Sequence, residues 1–215
     1  MIRGDNMRIK WLGHSCFKIC SEFNILIDPY DESLTYTFDP GEVNIILESH
    51  QHSDHCAHDR VSGDPAIVKT PGEHLFNKVR IFGVGSFHDE DKGTKRGTNI
   101  IFKIETEGFT VVHMGDLGQA LDHKQVEQLQ DIDVLMIPVG GTYTIDYKAA
   151  VETVKRLNPK IVLPMHYKTE FCPYPIDGYS RFTERLGWEI RKLSVLEINN
   201  LKLNELYQTC IIFDI

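Results

Sequence analysis

Five apolar stretches of this chain run into a histidine or an aspartate. Asp28 closes Ile25-Leu26-Ile27, His50 comes shortly after Val43 to Leu47, and His88 follows the run that starts at Val79. Asp116 comes after Phe109 to His113, and His166 directly follows Ile161-Val162-Leu163-Pro164-Met165. Short β-branched runs bounded by turn residues read as strands, and continuous apolar ones as buried strands. An ionisable side chain at the end of a buried strand is costly unless something pairs with it. Strands that all stop along one rim of a sheet would bring the five side chains together and give them partners. Two sheets packed face to face, with helices outside, supply such a rim. The periodicity by itself establishes only a mixed α and β protein.

The densest of these sites is Glu48-Ser49-His50-Gln51-His52-Ser53-Asp54-His55. Its three imidazoles and one aspartate cannot all point one way from a helix or a flat strand. A loop leaving a strand fans them out, His50 and His52 toward one point, Asp54 and His55 toward another. Imidazole with carboxylate is the donor set that zinc, iron and manganese accept. Two cations sharing one loop is the reading that this spacing favours over a solvated histidine-rich turn.

His50-x-His52-x-Asp54-His55 resembles the signature of the metallo-β-lactamase superfamily, a large group of mostly hydrolytic dimetal enzymes. The resemblance implies an α+β fold, the four-layer αβ/βα sandwich. It also implies a ligand set, residue by residue: His50, His52 and His88 for one cation, Asp54, His55 and His166 for the other, and Asp116 as the bridge. Zinc is the first choice of metal, with manganese or iron as alternatives. A hydroxide bridging the pair would attack an ester, lactone or phosphodiester bond of a small molecule, with Asp54 orienting the nucleophile or carrying its proton. Asp28 is implied to brace the metal loop without touching metal. Gly13-His14-Ser15 resembles the opening of the ascorbate-phosphate lactonase-like branch; His14 would orient a ligand or contact substrate, or serve as a buried structural histidine. His113, three residues before Asp116, is expected to stand behind the ligands. Rival readings are a non-catalytic metal-binding protein on the same scaffold and a ribonuclease-type phosphodiesterase.

Composition narrows the classes. With 215 residues the chain suits one domain, residues 1–215, with 1–6 ahead of a second methionine, Met7, as a flexible extension. Hydrophobic content of 41% and charged content of 25% are those of a globular protein. No apolar run approaches the roughly 20 residues of a membrane span, and the first residues lack the apolar core of a secretion signal. Five cysteines without framework spacing read as reduced, cytoplasmic thiols. A net charge of −8 with no basic block argues against nucleic acid as the main partner. A small-molecule substrate is expected, and the oligomeric state stays open.

The remaining candidates are peripheral. Lys92, Lys95, Arg96 and Lys168 offer a positive rim for an anionic substrate, or are solvated surface cations. Gly140-Gly141-Thr142-Tyr143-Thr144 follows the buried run Val134 to Pro138 and presents backbone N–H groups or Tyr143, or is a tight turn before a helix from about Asp146 to Leu157. His74, after Pro71-Gly72-Glu73, competes with His88 and is expected in a turn. His58 and His123 read as solvated, and Cys56 as small apolar filler.

Overall fold

A computed structural model describes residues 7–214, so the expected extension at residues 1–6 lies outside the described residues. The chain opens with β1 (Met7–Gly13), β2 (Cys16–Cys20), β3 (Ile25–Ile27), β4 (Ile45–Leu47) and β5 (Ala66–Val68). There follow β6 (Gly72–Phe76), β7 (Val79–Phe87), β8 (Thr98–Thr106), β9 (Phe109–His113), α1 (His123–Gln128), β10 (Val134–Pro138), α2 (Tyr147–Leu157) and β11 (Ile161–Met165). The last part holds α3 (Ser180–Leu186), β12 (Glu189–Leu193), β13 (Leu196–Ile198), α4 (Asn200–Glu205) and β14 (Thr209–Phe213).

These strands make two sheets, a six-stranded one in the order β13-β1-β2-β3-β4-β5 and an eight-stranded one in the order β12-β14-β11-β10-β9-β8-β7-β6. The expected α+β sandwich is therefore present. Strands β10 and β11 are buried at every residue. Their parallel neighbours explain why they are continuous apolar runs instead of alternating ones. Side chains of both sheets, among them Ile9, Phe17, Ile27, Ile81, Phe102 and Val111, share one apolar core.

Helix α2 forms where the spacing of Ala150, Val151, Val154 and Leu157 predicts it, and these four are buried. Asp146 caps it by accepting from the N–H groups of Lys148 and Ala149. Asn158, left-handed at φ 46°, stops it ahead of Pro159.

Strand β6, strand β13 and helix α4 have no counterpart in the sequence pattern. Strand β6 lies at the edge of its sheet and is never fully buried, so no apolar run marks it. His74 therefore sits in a strand and not a turn, its Nε2 3.0 Å from the Thr70 carbonyl. Helix α4 is a short element capped by the Asn199 side chain. Among the described residues no helix is long and apolar enough to cross a membrane.

Candidate metal centre

Strand direction decides where the polar residues meet. β1 and β3 both run antiparallel to β2, and β3 is parallel to β4. In the other sheet β7 and β9 both run antiparallel to β8, while β9, β10 and β11 are parallel. Within each sheet these strands therefore end on the same side, and that is where α/β sheets hold ligands. His14 leaves β1, Asp28 leaves β3, the histidine loop leaves β4, and His88, Asp116 and His166 follow β7, β9 and β11. The turn off the strand is abrupt. His14, Asp28 and His166 take left-handed backbone at φ 53°, 48° and 50°, as does Gly115 at 54°. A non-glycine residue held there costs about 1–3 kcal/mol, which the surrounding structure must offset.

Asp116 stands at the centre. Its Oδ2 is 3.2 Å from Nε2 of His88 and of His166, 3.4 Å from Nε2 of His55 and 4.0 Å from Nε2 of His50. Donor atoms of His50, His52 and His88 lie within 4.8 Å of one another, and so do those of His14, His55 and His166. Asp54 Oδ2 is 3.9 Å from His55 Nε2 and 3.5 Å from His14 Nε2. All seven residues expected as ligands are thus gathered in one place, with His14 against them.

Hydrogen-bond accounting tests whether cations fit. Nε2 of His50 and His55, Nδ1 of His88 and His166, Oδ1 of Asp116 and both ring nitrogens of His14 are buried without a partner. Buried polar atoms in folded proteins are nearly always satisfied. Of the nine unpartnered side-chain atoms among the described residues, seven belong to this cluster. Nε2 of His50, His55, His88 and His166 all turn on Asp116, and neutral imidazoles gathered with carboxylates are what a divalent cation requires, so the donor set fits.

The layer behind sets the tautomers. Asp28, fully buried, accepts from the Ser49 N–H at 2.7 Å and the Ser49 hydroxyl at 2.6 Å, and its Oδ2 is 2.9 Å from His55 Nδ1. This contact holds a proton on His55 Nδ1, so that the neutral ring, the form a cation binds, turns a bare Nε2 to the cluster. His50 Nδ1 is 3.0 Å from the Ser49 oxygen, whose own proton is already committed to Asp28, so the ring donates there and its Nε2 is also bare. Asp28 thus braces two rings of the cluster, one directly and one through Ser49. His113 plays a backbone role: Nε2 donates to the Ser15 carbonyl and Nδ1 accepts from the Gly115 N–H, which shapes the turn before Asp116.

Charges follow from the same contacts. Burial works to raise the Asp54 and Asp116 carboxyls, but neighbouring imidazoles, His55 and His14 for the first and His166 and His55 for the second, bring both below the usual carboxylate range. Burial lowers His50 to about 3 and His14 to about 4, aided by neighbouring imidazoles. Burial works to lower His55 too, but the Asp116, Asp54 and Asp28 carboxylates raise it above the usual imidazole range, so a cation would have to displace its second proton, neutral rings being the form that binds metal.

Several residues stand elsewhere than expected. His58 is not simply solvated: its Nδ1 lies 2.5 Å from Oε1 of the fully buried Glu48, whose other oxygen accepts from Gln51. His123 is exposed, as expected. Lys168 is not a rim cation, because its ammonium donates to the carbonyls of Cys172 and Tyr174. Lys95 pairs with Asp91 at the surface. Two residues went unnoticed in the sequence. Asp89 accepts from the N–H groups of Asp91, Gly93, Lys95 and Arg96 and organises the turn that carries Arg96. Tyr174 joins Tyr143 and Arg96 in lining a cavity of about 350 Å³ over the cluster. A larger cavity of about 670 Å³ lies away from the centre, where the chain enters β10 and leaves α2.

The beta-lactamase superfamily domain model matches residues 8–166, about three quarters of the chain. The chain belongs to the metallo-β-lactamase superfamily. A Thermotoga maritima crystal structure, assigned provisionally as a Zn-dependent hydrolase of this superfamily, is 36% identical, covers 96% of this chain and 98% of its own, and superposes with a TM-score of 0.79. A UPF0173 metal-dependent hydrolase of Alkaliphilus metalliredigens is 32% identical over 76% of this chain and 86% of its own length. Another, from Thermoplasma acidophilum, is 28% identical over 77% of this chain and 85% of its own. This superfamily member is a metal-dependent hydrolase, and its His/Asp cluster lies where the fold presents its strand ends.

Proposed function

We propose that the chain hydrolyses an ester, lactone or phosphodiester bond of a small molecule using two divalent cations, zinc before manganese or iron. His50, His52 and His88 would hold one cation and Asp54, His55 and His166 the other, with Asp116 between them. The observation that carries this reading is the convergence of four imidazole Nε2 atoms, those of His50, His55, His88 and His166, from three separate strand ends on the one buried carboxylate of Asp116. Bound there, the cations would polarise the scissile bond and make water nucleophilic near neutral pH.

The protein's own groups do the rest. Asp54 is 16% exposed while Asp116 is 3% exposed, so Asp54 is the carboxylate that meets an incoming water. Held ionised by His55 and His14, its Oδ2 accepts a hydrogen bond from that water and orients it for attack. Asp28 and Ser49 keep the His50 and His55 rings from turning. Tyr143 and Tyr174 narrow the mouth and leave room for a small molecule. With −8 net charge and no lysine- or arginine-rich block in the sequence, a cytoplasmic small-molecule hydrolase is favoured over a ribonuclease.

The test is metal removal. Dialysis against a strong chelator should cut turnover of a responsive ester, lactone or phosphodiester by about a thousandfold or more, and Zn²⁺ or Mn²⁺ should restore it. Turnover that survives complete removal, checked by elemental analysis, overturns the reading. Asp54→Asn should keep the fold by circular dichroism and lose about a hundredfold or more in kcat.

A further inference from the structure

Arg96 occupies an unusual position among the cations of this chain. Of the residues lining the cavity over the metal cluster it is the one lysine or arginine. Among the described residues it forms no ion pair with a carboxylate, whereas Lys95 beside it is paired with Asp91. Its guanidinium reaches across from the turn at residues 89–97 to the loop after β10. Nη2 donates to the Thr142 carbonyl at 3.3 Å, and the carbon at the fork's centre lies 5.5 Å from the middle of the Tyr143 ring. One weak hydrogen bond and a ring contact leave most of its five donors uncommitted.

The turn beneath it is built to hold that position. Asp89, itself buried, takes four backbone N–H groups between 2.8 and 3.0 Å, and one of them is Arg96's own. A carboxylate enclosed and spent wholly on backbone donors makes a rigid platform out of what would otherwise be a glycine-bearing surface turn. Arg96 is thus presented by a fixed backbone, half-buried, with its fork beside a metal-holding cavity. Tyr143 and Tyr174, 6.1 Å apart between ring centres and nearly perpendicular, form the apolar wall beside it.

We propose that Arg96 anchors an oxyanion of the substrate, a carboxylate or a phosphate monoester, at a point separate from the bond that is cleaved. The substrate is then a small anionic ester or lactone whose body lies along Tyr143 and Tyr174. This rests on the hydrolase reading above and gives its site a substrate class. Guanidinium matches such groups with two parallel hydrogen bonds, and at a partly desolvated site that match contributes both affinity and orientation.

Three esters with the same 4-nitrophenyl leaving group test this on the metal-loaded protein. Their acyl chains end in a methyl group (valerate), a carboxylate (glutarate) or a phosphonate (4-phosphonobutyrate). In the native protein kcat/KM should favour the two anionic esters over valerate by about tenfold to a hundredfold, chiefly through KM. Arg96→Gln should bring those ratios close to one, and Arg96→Lys should retain part of the preference. The larger of the two anionic ratios distinguishes carboxylate from phosphate. Equal ratios in the native protein, or a preference unchanged in Arg96→Gln, overturn the proposal.

A binding arm does not depend on turnover. Calorimetric titration with glutarate and with valerate, each free acid offering one carboxylate to the cations, should show glutarate about tenfold tighter in the native protein and no tighter in Arg96→Gln. Equal affinities in the native protein overturn the proposal. Failure of the hydrolase reading shows up differently, as turnover that chelation does not touch.

Discussion

His50 and His55 belong to the six-stranded sheet, and each has its remote ring nitrogen tied, His55 to Asp28 and His50 to Ser49. His88 and His166 belong to the eight-stranded sheet and have no such tie, since Nδ1 of each is buried without a partner. Backbone contact positions them instead. Gly118 lies so close to the carbonyl of His88, and Gly140 to that of His166, that a Cβ at either position would overlap it. His88 also donates its N–H to Gly97, and His166 donates its N–H to His14. One pair of rings is thus set by hydrogen bonds that choose a tautomer, the other by packing that fixes where the main chain runs. Hydrogen bonds can be weakened by changing one atom, whereas close packing permits no addition at all.

The contrast predicts a ranking of effects. Gly118→Ala and Gly140→Ala should be the most damaging, because the added methyl meets rigid backbone; about 3 kcal/mol of stability is expected to go, at the upper end for overpacking. Urea unfolding measures it, and a wild-type midpoint for both would show that packing does not set the second pair. Asp28→Asn should unfold less easily than those variants yet lose about ten- to a hundredfold in metal affinity, read by competition with a chromophoric chelator. Unchanged affinity there would detach the first pair from its brace.

Asp89→Asn probes a third kind of support, a carboxylate holding backbone N–H groups; it should cost about 1–2 kcal/mol and speed amide exchange in residues 91–97 more than elsewhere. Uniform exchange across the chain would contradict a local role. The smallest effect belongs to His58→Gln, which keeps a donor beside Glu48 and should stay within about 1 kcal/mol of the native stability in thermal unfolding.

The cluster was legible because crowded histidines and aspartates leave a dense mark on sequence, while their sharing between two cations was only what the family resemblance implied. His50 to His55 crowd one loop, and His88, Asp116 and His166 each follow an apolar strand, so rim placement was available without coordinates. The supporting residues left no comparable mark. Asp89 sits in a run of acids, Asp89-Glu90-Asp91, in which nothing marks the one that turns inward. Glu48 opens the histidine-rich stretch with nothing to mark it as buried, yet it is fully buried and paired with His58. Strand β6 went unread because edge strands carry no apolar pattern. Tyr174 approaches the centre only because the segment after β11 folds back over it, with Lys168 tied to the carbonyls of Cys172 and Tyr174.

Sequence alone determined a mixed α and β protein and the strands that end in histidine or aspartate, since period, length and residue type are local properties, and its motif carried the resemblance that named the sandwich. Tertiary structure alone decided which nitrogen of each ring is free, which carboxylate stands at the centre and which of four candidate cations reaches the cavity. Those outcomes depend on hydrogen bonds and contacts between segments tens of residues apart, and no local pattern encodes a partner that only folding brings near.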